Sequence, residues 1–103
     1  MHPMLHDLLE LLRQVKKAAE LEVPLQLTPG AERALLLLES LGELRGAQEA
    51  GRVGEEAHLA ARAVRSLLEE QRKPTAQEAE KRLKRAIAFI KQATSFHGSR
   101  LPA

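Results

Sequence analysis

Thr28-Pro29-Gly30-Ala31-Glu32-Arg33-Ala34-Leu35-Leu36-Leu37-Leu38-Glu39-Ser40-Leu41-Gly42-Glu43-Leu44 is the stretch that decides the fold of this 103-residue chain. Thr28 suits a helix N-cap, and Pro29, which has no N–H to leave unpaired, suits the first helical position. The spacing predicts a helix from there to about Leu44. Leu35, Leu36, Leu37 and Leu38 are consecutive, so at 3.6 residues per turn they cover more than one face. Such a helix is either central to its own fold or covered by a partner on its second side.

Upstream, Pro3 to Glu22 places Leu5, Leu8, Leu9, Leu12, Val15, Ala18 and Ala19 at steps of three and four, with Asp7, Glu10, Arg13, Gln14, Lys17 and Glu20 opposite. That is an amphipathic helix. Pro24 ends it, because a proline disfavours helix in the residue before it. The link Val23-Pro24-Leu25-Gln26-Leu27 is expected to turn Val23, Leu25 and Leu27 downward onto the core. Downstream, Gly46, Gly51 and Gly54 predict a connection, since each glycine costs about 1 kcal/mol relative to alanine inside a helix.

A third helix is expected over Glu55 to Arg72, with Ala57, Ala60, Val64, Leu67 and Leu68 inward. Thr75-Ala76-Gln77-Glu78 reads as a capping box that opens a fourth helix at Ala76. That helix runs to about His97, with Leu83, Ala86, Ile87, Ile90 and Ala93 inward and Phe89 and Phe96 at one margin. Gly98 suits a left-handed stop, and 99–103 reads as a flexible tail. The expected fold is all-α, an antiparallel bundle of four helices with short connections, as one domain over 1–98. The alternative is an extended glycine stretch, with two chains exchanging halves in a dimer.

Composition excludes several functions. There is no Cys, so no thiol nucleophile, disulfide or Cys-type zinc site. No apolar run approaches the roughly 20 residues of a membrane span, and no secretory signal pattern opens the chain. A cytoplasmic protein without membrane attachment is expected. Asn is absent, Ile occurs only at Ile87 and Ile90, and Leu, Ala, Glu and Arg dominate. That usage suits a thermophilic or GC-rich bacterium.

Catalytic constellations are thin. Asp7 is the only Asp. Ser95 and His97 are two apart, a spacing that points helix side chains in different directions. His2 and His6 have ligand-like spacing but no rigid third ligand, and Glu-x-x-His pairs on facing helices are absent. The glycines around Gly51 lack a phosphate-loop pattern. Glu55-Glu56 and Glu69-Glu70 read as solvated charges. The sequence predicts neither an enzyme nor a cofactor or metal site.

Charge is the remaining signal. Sixteen Lys and Arg face fourteen Asp and Glu, and the excess of base lies in the second half. Lys81, Lys84, Arg85 and Lys91 on helix four, with His58, Arg62, Arg65 and Arg72 on helix three, form stripes that could follow a phosphate backbone. Two readings follow. In the first, the chain is a non-enzymatic bundle that acts by protein–protein contact or self-association, as an adaptor or subunit of a larger assembly, through Leu35 to Leu38. In the second, it is a small basic subunit that holds nucleic-acid backbone through Arg62, Arg65, Arg72, Lys81, Lys84, Arg85 and Lys91.

Overall fold

The computed structural model describes residues 3–48 and 51–100, with side chains through 94. Four helices follow in order: α1 (Pro3–Leu21), α2 (Pro29–Glu43), α3 (Gly51–Glu70) and α4 (Lys73–Arg100). Each packs on two others, α1 on α2 and α4, and α3 on α2 and α4. Neighbours run antiparallel: Arg33 meets Asp7, Arg65 meets Glu39, Arg85 meets Glu56, and Lys73 meets Glu22. The fold is the expected all-α bundle.

One core joins the four helices. Leu8, Leu11 and Val15 from α1 meet Leu35 and Leu38 from α2, Val64 and Leu67 from α3, and Leu83, Ile87 and Ile90 from α4. Alanines fill much of the rest, including Ala57, Ala60, Ala79 and Ala86. Among the described residues no buried side-chain nitrogen or oxygen lacks a hydrogen-bond partner.

Thr28 caps α2 as its chemistry requires, its hydroxyl accepting from the Ala31 amide at 3.3 Å with Pro29 in the first turn. The same hydroxyl donates to Glu10 at 2.8 Å, and the Gln14 amide donates to it at 3.1 Å, so the cap also ties α2 to α1.

Elsewhere the structure corrects the sequence. Gly51 and Gly54 belong to α3 rather than to a connection. A Cβ on Gly54 would lie 2.8 Å from the Arg45 Cα and 3.0 Å from the Leu41 carbonyl, so the missing side chain is what lets α3 approach the end of α2. Gly42 repeats this on α2, where a Cβ would sit 3.0 Å from the His58 Cα. Close approach offsets the helix cost of glycine.

The capping box at Thr75 does not form. α4 begins earlier, at Lys73, because Pro74 is already pre-set for the first turn. The Thr75 hydroxyl instead donates to Glu70 at 2.9 Å. α3 stops at Gln71, which takes a left-handed φ of 52° and donates its amide to the Leu67 carbonyl at 2.8 Å. The Gln71 side chain accepts from the Leu25 amide at 2.8 Å and donates to the Leu68 carbonyl at 3.3 Å. These bonds hold the 22–28 link against the end of α3 and offset the strain.

In that link Leu25 is buried and Leu27 half-buried, but Val23 is exposed, contrary to expectation. In α1, Leu11 is buried and Leu9 lies at the surface. The expected stop at Gly98 is absent, because α4 continues to Arg100. Of the expected tail, Ser99 and Arg100 are helical; 101–103 and His2 lie outside the described residues, as do the side chains of Phe96 and His97.

Candidate functional site

The four consecutive leucines separate by depth. Leu35 and Leu38 are in the core, Leu37 is half-buried against it, and Leu36 is 58% exposed. Two of the four expected interface leucines are therefore consumed by the chain's own packing. This follows from the helical turn: Leu35 and Leu38 are three apart and share the inward face, while Leu36 is rotated outward. Leu36 borders an open depression of about 360 Å³ with Leu27, Pro29 and Leu35 in its floor and Glu32, Arg33 and Arg65 around it.

The basic residues on α3 do not form one stripe with those on α4. Arg65 turns toward α2, where Nε and Nη2 donate to the two Glu39 oxygens at 2.8 and 2.9 Å. This bidentate contact lowers the Glu39 pKa and raises that of Arg65. Arg62 is exposed beside the same α2–α3 groove, an open space of about 370 Å³ that also touches Glu39, Glu43, His58 and Glu69. Arg72 is exposed in the turn between α3 and α4.

On α4 the charges face two ways. Arg85 turns toward α3, donating from Nε to Glu56 at 2.9 Å. Glu56 is only 6% exposed, so it is a partnered buried carboxylate and not the solvated charge expected from the Glu55-Glu56 pair. The guanidinium of Arg85 also lies 5.6 Å from the centre of the Phe89 ring, with that of Arg52 at 6.0 Å. The only aromatic side chain among the described residues is thus engaged by two cations. Lys84 pairs with Glu80 at 2.9 Å on its own helix, and Arg82 with Glu78 at 3.1 Å. Lys81 and Lys91 are exposed and form no ion pair among the described residues.

Helix α1 completes the basic surface. Its Asp7, Glu10 and Gln14 flank faces α2, through Arg33 and Thr28. The opposite flank, with Leu5, Leu12 and Lys16, must then face α4, which is the other helix that α1 contacts. The same reasoning on α4 sends Arg85 and Phe89 toward α3, leaving Glu80, Lys84, Ile87 and Lys91 on the α1 side. Arg13 and Lys17 lie outward on α1 and Lys81 outward on α4. Arg13, Lys16 and Lys17 were not among the sequence candidates, because the N-terminal half is acidic as a whole. Asp7 is turned toward α2, to Arg33, and Glu10 accepts from Thr28 with one oxygen while its other oxygen lies 3.6 Å from Arg13.

No family model, curated protein or solved structure matches the chain. Among the described residues there is no cluster of His, Asp and Glu able to hold a metal ion, and no helix is long and apolar enough to cross a membrane.

Proposed function

We propose that the chain is a non-catalytic helical module that acts by protein–protein contact, through the outward face of α2 around Leu36. The supporting observation is the large exposure of Leu36 over a depression floored by Leu27, Pro29 and Leu35. A partner's apolar side chain seated there would take Leu36 out of water, and fully burying a leucine stabilises by about 1.5–3 kcal/mol. The surrounding Glu32, Arg33 and Arg65 supply a polar rim of the kind that fixes orientation around an apolar centre.

The test compares the wild type with Leu36→Lys, a change on an exposed helical position that leaves the core intact. Sedimentation velocity measures self-association, and affinity capture measures a hetero-partner. The expected result is a complex, of either kind, that forms with the wild type and is lost with Leu36→Lys. A monomeric wild type whose captured proteins are the same as those of Leu36→Lys would overturn the proposal.

A further inference from the structure

We infer that the α1–α4 face is a second binding surface, and that it takes the phosphate backbone of a nucleic-acid duplex. Arg13 and Lys16 on α1 lie on the same side as Lys81, Lys84 and Lys91 on α4, whereas Lys17 borders the 23–28 link with Gln14. Three acidic residues on or beside this side are engaged, Glu80 by Lys84, Glu10 by Arg13 and Glu22 by Lys73, and Glu20 is the fourth. On the other side of the bundle the arginines are largely satisfied internally, Arg65 by Glu39, Arg85 by Glu56 and Arg33 by Asp7. Lys16, Lys81 and Lys91 on this face form no ion pair among the described residues and stand together, whereas the unpaired Arg62 and Arg72 lie apart, on α3 and in the turn after it.

Geometry favours an extended polyanion. Lys81 to Lys91 spans about 15 Å along α4 and Arg13 to Lys16 about 4.5 Å along α1, from the helical rise. Packed helices lie about 8–10 Å apart, so the charges form two roughly parallel rows on a rigid support. Regularly spaced phosphates match such rows by charge alone. A lipid surface fits less well, because membrane-lying helices bury an apolar face with aromatic anchors. Here the outward positions between the cations are Gln77, Ala88 and Gln92, with Leu9 at the edge.

A single strand also fits less well than a duplex. Bases of a single strand need aromatic platforms, and Phe89 is occupied by Arg52 and Arg85 on the flank facing α3. The surface offers nothing that would read base edges, so binding is independent of sequence. This surface shares no residue with the Leu36 face, and either can fail alone.

The experiment is fluorescence anisotropy with a short labelled DNA duplex, using the full chain at about 50 to 200 mM salt, the range over which phosphate contacts weaken steeply. Saturable binding is expected, with a log–log salt slope of about −3 to −4.5 if three to five phosphates are neutralised. Arg13→Glu with Lys81→Glu is expected to weaken binding about tenfold or more, because both contacts become repulsive. Arg62→Glu with Arg72→Glu makes the same change in net charge off this face and is expected to lose less than half as much on a logarithmic scale.

Lys16→Gln with Lys91→Gln gives an independent, milder pair whose loss should follow the same direction. Circular dichroism confirms that each variant is folded. Absent binding at low salt, a flat salt dependence or equal loss in the two Glu pairs would overturn the inference. So would equally tight binding to anionic phospholipid vesicles or to poly-glutamate.

Discussion

The α2–α3 contact and the α1–α4 contact are built by opposite means. Between α2 and α3 the backbones approach through missing side chains, at Gly42 against His58 and at Gly54 against Arg45, and Arg65 closes the seam on Glu39. Between α1 and α4 the space is filled by large side chains, Leu8 and Leu11 against Leu83, Ile87 and Ile90, and the lysines at the rim point to solvent. The first contact consumes its charges to hold the fold. The second holds by apolar burial, with the Lys73–Glu22 ion pair at its end, and leaves Lys16, Lys81 and Lys91 without an ion pair among the described residues.

This contrast can be broken by mutation, the α1–α4 seam by removing side-chain volume and the α2–α3 seam by adding it. Leu8→Ala removes a fully buried side chain from the α1–α4 seam and is expected to destabilise by about 2–5 kcal/mol in a denaturant titration. Gly54→Ala adds one methyl where only backbone lies in the way. Its expected cost is about 1–2 kcal/mol, overpacking outweighing the gain in helix propensity. Gly46→Ala is the control, because beyond its chain neighbours nothing lies within 4 Å of the added Cβ. It should be close to neutral. If Gly54→Ala stabilises the chain as alanine does in an open helix, the close-approach explanation is wrong.

Removing single ion-pair partners sharpens the comparison. Arg85→Ala leaves the Glu56 carboxylate buried without its cation, at an expected cost of about 1–3 kcal/mol. Lys84→Ala breaks only an exposed pair along one helix and should change stability by about 0.5 kcal/mol or less. Equal costs for the two would remove the distinction between consumed and available charge.

A comparably small effect is pH-dependent. The hydrogen-bonded guanidinium of Arg65 holds Glu39 below its ordinary value, and that of Arg33 does the same for Asp7. A carboxylate with a lower pKa in the folded state contributes stability that is complete above its unfolded pKa, about 4, and is lost as pH falls through the folded one. Glu39→Gln should therefore cost at most about 1 kcal/mol at pH 7. The difference from wild type should shrink in acid, below about pH 4. A gap that stays constant from pH 7 into acid would contradict this assignment.

The helical register was legible in the sequence because leucine and alanine recur at helical spacing, and Thr28-Pro29 marks one boundary by chemistry alone. The other boundaries were not. Gly54 reads as a helix breaker until its neighbour across the seam is known, and Thr75 reads as a cap although Pro74 already begins the helix. The split of Leu35 to Leu38 between core and surface needed the position of α1. The basic residues were visible, but their partners come from other helices: Glu39 for Arg65 and Glu56 for Arg85 stand 26 and 29 positions away. Arg13 and Lys16 were hidden for another reason, because the half of the chain that holds them is acidic as a whole.

Backbone amide NMR during titration with a short DNA duplex at low salt tests the central contrast most directly. Shifts are expected along the α1–α4 face, around Arg13, Lys16, Lys81, Lys84 and Lys91, and should vanish as salt is raised. Shifts centred on Arg62 and the α2–α3 groove, or no shifts at all, would contradict that contrast.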